Sequence, residues 1–286
     1  MSQEYEFRSV GPGPEELLKT LQLCKLVWPR LDKLTIQYFT WLYLDNPDGK
    51  VIGVNAWNRG ELAGHYVVVP ARVRLDGEEV PAALSLNTVV HPDHQGRGLF
   101  TKLASQTYDL AREKEVDHIF GVANANSTPG LIKRLGFQLV APLQTKVFLT
   151  LPTINQKTSD LQWERVWRNE NLGWRLKNPS FQYRFLKKGG SEFFFTRTGY
   201  PGLQSIVKIG DDLGINHGLR PVNRLAPFKL WLGLDPDIRS SILPGVALPK
   251  QLKRSPLNLI FRSLSSPGKL LDKNRVRFGA LNFDTF

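Results

Sequence analysis

The 286-residue chain reads as a mixed α/β protein whose sheet is organised around one strand–turn–helix unit. Three observations predict this. Short β-branched and aromatic runs alternate with amphipathic stretches in the order β-α-α-β-β-β-α-β-α-β-β across the first 150 residues. A turn carrying two glycines follows directly on one strand. The charge is lopsided: residues 1–150 hold 16 basic and 16 acidic side chains, while 151–286 hold 22 and 10, and so the whole net charge of +12.

Tyr5–Val10 is a short strand. Pro14 opens a helix with Leu17, Leu18, Leu21 and Cys24 at helical spacing, and Pro29 ends it. A second amphipathic helix, Leu34–Leu44, stops at the turn Asn46-Pro47-Asp48-Gly49. Val51–Trp57 and Leu62–Val69 are strands joined at Asn58-Arg59-Gly60. Val73–Leu75 and Val80–Val90 form a further pair around Asp76-Gly77. A helix over Gly98–Lys114, a strand over Asp117–Ala123 and a helix over Pro129–Leu135 closed by Gly136 come next. Phe137–Leu139 and Thr145–Leu149 are the last strands of this part.

Polar Pro152–Asp160 reads as a linker, dividing the chain into 1–150 and 161–286. The second part has a hairpin (Glu192–Thr198 with Ser205–Ile209), a breaker-rich stretch from Pro236 to Lys250, a helix over Pro256–Leu264 and a final strand over Arg275–Leu281. Trp41 with Asn46-Pro47 is echoed by Trp174 with Asn178-Pro179, a local sign of internal duplication.

Several function classes drop out. No stretch reaches the roughly 20 apolar residues that span a bilayer. Glu4 and Glu6 stand where a secretory signal needs an apolar run. The single cysteine, Cys24, excludes an intrachain disulfide and makes a cytoplasmic location the default. Cys24 lies in an apolar helical pattern and reads as a buried thiol. The five histidines lack metal-ligand spacing, so no metal is expected.

The most informative residues run from Val89-Val90-His91-Pro92 through Asp93-His94 to Gln95-Gly96-Arg97-Gly98-Leu99-Phe100. Glycines let backbone N–H groups approach a ligand, and a helix start adds unpaired donors and a positive dipole end. Together they make a pyrophosphate cradle. Thr101 stands where a dinucleotide fingerprint needs its third glycine, and no P-loop Lys-Ser/Thr follows.

This segment resembles motif A of the GNAT acyltransferases, Gln/Arg-x-x-Gly-x-Gly/Ala preceded by Val-x-Pro, with Phe100 departing from the final small residue. Asn124-Ala125-Asn126-Ser127 through Gly136-Phe137 resembles motif B. The likeness covers about residues 4–150. It implies a GNAT fold that binds acetyl-CoA. Backbone N–H groups of Gln95, Gly96, Arg97, Gly98, Leu99 and Phe100 would hold the pyrophosphate. Val89 and Val90 would pair with the pantetheine through main-chain hydrogen bonds, and Asn124 or Asn126 would lie beside it. The family's usual tyrosine acid falls at Ile132, which cannot donate a proton. Asn87 could orient a water or substrate. His65, His91 and His94 are imidazoles suited to proton transfer, or else a strand-surface residue (His65) and turn caps (His91, His94).

The second part has no such loop and resembles a degenerate GNAT-like unit. Double proteins of this kind suggest an amine acceptor such as an amino sugar of surface-polysaccharide assembly. Its basic charge suits an anionic or nucleotide-linked acceptor; no nucleic-acid motif accompanies it. Trp163, Trp167, Trp174, Tyr183, Tyr200 and Trp231 are either sugar-stacking surfaces or core. Lys250–Arg262 mixes cations and apolar residues, as a helix docked on the domain or a peripheral membrane contact would. The leading reading is an acetyl-CoA-dependent N-acyltransferase. The alternative is a non-catalytic CoA-binding regulatory or scaffold protein.

Overall fold

The computed structural model describes residues 4–154, 160–211, 218–239, 246–247 and 256–283. The strands are β1 (Glu6–Ser9), β2 (Ile52–Asn58), β3 (Glu61–Leu75), β4 (Glu78–Val90), β5 (His118–Ala123), β6 (Gln138–Pro142), β7 (Gln144–Phe148), β8 (Thr153–Ile154), β9 (Trp163–Arg165), β10 (Tyr183–Lys188), β11 (Ser191–Arg197), β12 (Leu203–Asp211), β13 (Arg220–Pro221), β14 (Phe228–Leu234), β15 (Ile238–Arg239), β16 (Val246–Ala247), β17 (Asn258–Ser263) and β18 (Val276–Gly279). The helices are α1 (Pro14–Val27), α2 (Ile36–Tyr43), α3 (Leu99–Glu113), α4 (Thr128–Leu135) and α5 (Asn169–Leu176). The fold is the expected mixed α/β arrangement.

β3 is one strand where the sequence suggested two. Proline breaks a strand by withholding an N–H from the ladder. Pro70 escapes because β2 pairs with β3 only as far as Val68, and β9 takes up that edge only from Val73. The Pro70 carbonyl is met in that gap by Asn46 Nδ2 at 2.8 Å.

The helix expected at Pro256–Leu264 is instead β17. It lies between β5 and β6, antiparallel to both. Leu259, Ile260 and Phe261 are all buried in succession, which an interior strand covered on both faces allows. A surface helix or membrane contact at 258–262 is therefore ruled out; residues 250–255 lie outside the described set, as do 155–159 of the expected linker and 240–245 and 248–250 of the breaker-rich stretch.

The two parts of the chain exchange strands. β17 completes the sheet of the first part, while β7 leaves that part to lie between β14 and β16 of the second. The core ignores the linker too: Leu84, Phe120, Trp163, Trp174, Leu234, Phe261 and Phe278 belong to one buried cluster. Within this cluster Trp41 and Trp174 stack at 4.8 Å. Each indole N–H donates to the other's backbone carbonyl, at 3.0 and 2.9 Å. The turns that follow also match: Asn46 Oδ1 accepts from the Asp48 N–H, and Asn178 Oδ1 from the Ser180 N–H. Trp163, Trp231 and Tyr183 are buried with them and pack the core, while Trp167 is half-buried and Tyr200 is exposed.

A fragment ending at residue 150 would leave β5 and β6 without the strand between them. It should aggregate when expressed alone and become soluble when co-expressed with residues 151–286. A soluble, cooperatively folding 1–150 fragment, checked by near-ultraviolet circular dichroism and urea melting, would refute the exchange.

Candidate functional site

β4 and β5 pair as parallel strands only from Ala82↔His118 to Ser85↔Gly121. Gly121 permits the close approach there: a Cβ on it would stand 3.1 Å from Ser85 Cβ and 3.3 Å from its carbonyl oxygen. Beyond that point the pairing stops, and the β4 edge from Leu86 to Val90 has no ladder to β5. Val89 and Val90 lie on this stretch, Val89 with its side chain buried.

A bulge accompanies the divergence. β3 and β4 pair at Val67↔Leu86 and next at His65↔Val89, so Asn87 and Thr88 oppose the single residue Tyr66. Asn87 is left-handed, with φ of 51°, which asparagine tolerates better than most residues.

β4 runs into a 3-10 turn, Pro92–His94. Gly96 and Gly98 follow with φ of 74° and 75°. A Cβ on either would meet nothing within 4 Å. Backbone conformation, not crowding, therefore calls for glycine, and the space beside the loop is open. The first helical bond of α3 is Lys102 N–H to Gly98 O, at 3.2 Å. The N–H groups of Leu99, Phe100 and Thr101 precede it and have no acceptor within the helix. With the dipole they make the helix start attractive to an anion.

Gln95 differs from the expectation. Its N–H donates to Pro92 O at 3.2 Å and its Nε2 to Val90 O at 3.4 Å, so it closes the turn. Arg97 donates to Asp93 O at 2.9 Å and Tyr5 Oη at 3.3 Å. Phe100, where the motif has a small residue, reaches α4: a Cβ on Gly130 would touch its ring at 3.4 Å. At the end of β5, Asn124 Oδ1 accepts from Asn126 N at 3.0 Å and Ser127 N at 2.9 Å. It thereby shapes the entry to α4, and Asn126 itself is exposed.

His65 is neither a surface residue nor a base open to substrate. It is fully buried, and burial pushes its pKa down to about 3. It belongs to a buried chain of hydrogen bonds whose direction is set at one end. The Glu16 carboxylate only accepts, taking Gly11 N–H at 2.9 Å and Asn55 Nδ2. Asn55 Oδ1 must then accept from His65 Nδ1, at 2.6 Å. The neutral ring is left with a lone pair on Nε2, which takes the Tyr43 hydroxyl at 2.9 Å. Tyr43 Oη in turn accepts from Asn87 Nδ2 at 3.1 Å, which turns the other atom of that carboxamide, Oδ1, away from Tyr43. Burial raises the Tyr43 pKa well above the ordinary phenol range. Sequence reasoning missed Glu16, Tyr43 and Asn55. They come from three separate elements, and no local pattern marks them.

His91 and His94 serve the turn. His91 Nδ1 accepts from Asp93 N at 3.2 Å, and His94 Nδ1 meets Tyr5 Oη at 2.9 Å. Ile132 is half-buried in α4. A groove of about 670 Å³ opens where Leu86, Asn87 and Asn124 face the α1–α2 connection, with Trp28, Leu31 and Leu34 on its far wall. Among the described residues, no group of three or more His, Cys, Asp or Glu side chains could hold a metal, and no helix is long and apolar enough to cross a membrane.

A parallel pair that opens behind a bulge, beside a glycine-bearing helix start, is the layout of a GNAT domain, and the family model described as "Acetyltransferase (GNAT) domain" matches residues 12–140. That segment of the chain is a GNAT domain. Solved structures share the fold across nearly the whole chain. The GCN5-related N-acetyltransferase from Kribbella flavida superposes with a TM-score of 0.61 at 12% identity, covering 91% of this chain and 72% of that one. Eis1 from Mycobacterium abscessus gives 0.59 at 12%, covering 92% and 74%. Saccharomyces cerevisiae N-myristoyltransferase gives 0.56 at 12%, covering 96% and 84%. No curated protein matches by sequence.

The His65 environment is testable without substrate. Its folded pKa of about 3 lies below the ordinary 6.5, so the unfolded chain binds a proton there that the folded chain refuses. The neutral ring's stabilisation is whole above pH 6.5 and falls by about 1.4 kcal/mol per pH unit as pH drops toward 3. Urea melts of wild type should therefore lose about 2 kcal/mol more than His65→Gln between pH 6.5 and 5. Long-range 15N NMR should show the His65 proton on Nδ1. A proton on Nε2 would contradict the assigned direction of the chain.

Proposed function

We propose that the protein is a CoA-thioester-dependent N-acyltransferase that works at the opening between β4 and β5. The observation that carries this reading is the coincidence of three features in one place: the free β4 edge past Ser85, the bulge at Asn87 and the open helix start at Gly98–Thr101. In this reading the N–H groups of Gly96 to Thr101 hold the CoA pyrophosphate, and the β4 edge near Val89 and Val90 pairs with the pantetheine. The thioester then emerges beside Asn87 and Asn124. The acceptor nitrogen attacks the thioester carbonyl, the C–N bond forms, the C–S bond breaks, and the sulfur leaves as thiolate. A thiol of ordinary pKa about 8.5 needs little help as a leaving group, which accommodates Ile132 in the place of an acid. Asn87 Oδ1 is the group offered to an acceptor N–H.

Acetyl-CoA is the expected donor. An amino sugar or another amine, anionic or nucleotide-linked, fits the basic second part, and we place the protein in the cytoplasm. We also read residues 1–150 and 161–286 as two GNAT-like halves, each closed by a strand of the other. The order β2-β3-β4 antiparallel then parallel β5 recurs as β10-β11-β12 antiparallel then parallel β14. One observation favours a non-catalytic CoA-binding role: the groove is lined by Arg30, Lys33, Tyr38, Asn87 and Asn124 but by no carboxylate or imidazole.

Thermal melting with and without acetyl-CoA tests the site. A ligand that binds only the folded state raises the melting temperature, by an amount equivalent to about 2.7 kcal/mol at a hundredfold excess over Kd. Wild type should shift, and a Gly96→Glu, Gly98→Glu double variant should not. The new Cβ atoms meet open space, but the φ of 74° and 75° strains both side chains, so the variant is shown to be folded by circular dichroism before ligand is added. No shift in folded wild type would end the acyltransferase reading. A shift without CoA release across a panel of amines would favour the binding role.

A further inference from the structure

The groove beyond the strand opening is built for more than a two-carbon group. Asn87 and Asn124 flank the gap between β4 and β5, and Arg30, Lys33 and Tyr38 are the groove's other polar lining residues. Trp28, Pro29, Leu31, Leu34 and Leu86 supply its apolar wall, over a volume of about 670 Å³. Leu34 is buried, but Leu31 keeps 40% of its surface exposed on the groove wall. Leu26 and Ile36, on either side of it along the chain, are exposed as well, at 53% and 39%. Of these, Leu31 lines the groove with Trp28, Leu34 and Leu86, whereas Leu26 and Ile36 lie outside it; the apolar lining marks a surface that an apolar ligand covers. The groove is continuous with the opening through which the proposed thioester emerges, so the first group to meet this wall is the acyl group.

We infer that the α1–α2 connection forms an acyl-chain groove, and that the protein prefers medium-length acyl-CoA over acetyl-CoA. This rests on the proposed CoA site at β4 and β5. Asn87 and Asn124 would flank the thioester carbonyl, and the methylenes beyond it would run along Leu86, Trp28 and Leu31. Each fully buried methylene tightens binding by about three- to fourfold.

The test is equilibrium binding of CoA, acetyl-CoA, butyryl-CoA, octanoyl-CoA and succinyl-CoA to the full chain by calorimetry. Butyryl-CoA should bind about tenfold tighter than acetyl-CoA, with a further gain at octanoyl. Leu31→Asp, an exposed position that should not disturb folding, should erase the octanoyl gain and leave the affinity for CoA unchanged. Affinity that is level or falls from acetyl to octanoyl while CoA binds would overturn the inference and leave the CoA site standing. So would tightest binding of succinyl-CoA, which would assign the groove to an anion met by Arg30 at its rim. Failure of CoA and every thioester to bind would overturn the site itself, and the groove's occupant with it.

Discussion

The opening between β4 and β5 is the constraint around which the molecule is arranged. A parallel pair that stops bonding midway exposes main-chain donors and acceptors on both strands, and such groups cannot be buried unpaired. β17 pairs with the other edge of β5, from His118 to Ala123, and so closes the sheet on that side while leaving the opening uncovered. The strand that does this comes from the far end of the chain, and β7 moves the other way to bond β14. Past Ser85 the β4 edge that faced β5 has no strand partner. The start of that free edge, Leu86 and Asn87, lines the groove, and the proposed pantetheine pairing would complete its ladder.

Holding that edge open requires a rigid backbone at the bulge. Asn87 is fixed from behind by a chain of side chains drawn from α1, β2, β3 and α2. Because Glu16 can only accept, each amide and ring along the chain has one orientation left, and the last of them decides which atom of Asn87 is free. The chain is built of neutral links apart from its terminal carboxylate. Burial reinforces this by keeping His65 deprotonated and Tyr43 protonated over the ordinary pH range. An amide link does not pass protons along, so the chain orients Asn87 and does not relay protons to it.

The proposed duplication rests on strand order: β2-β3-β4 antiparallel then parallel β5 in the first part, β10-β11-β12 antiparallel then parallel β14 in the second. The stacked pair Trp41 and Trp174, each bonded to the other's carbonyl, joins α2 of the first part to α5 of the second. Arg277 ties the same region together from another side. It meets Glu164, Asp235 and Asp237, and these carboxylates outweigh its own desolvation and raise its pKa. The cations of this part are thus partly spent on structure. Lys229 likewise donates to Leu149 O.

Much of the site was written locally. Two glycines needing positive φ, a strand before them and an apolar stripe of Leu99, Leu103 and Tyr108 after them are short-range features, and short-range features are what a sequence declares. The same holds for Asn124, whose turn is made with its own neighbours. The fold class followed from the same periodicities. What the sequence could not declare depends on partners far along the chain. Pro70 is harmless because β2 and β9 leave a gap beside it. Residues 258–263 form a strand because β5 and β6 present two unpaired edges, where an apolar run alone is equally suited to a buried helix. His65 is a buried link because Asn55 and Tyr43 close on it. Local conformation is set by neighbours in sequence, whereas pairing, burial and protonation are set by neighbours in space, and only the tertiary structure brings those together.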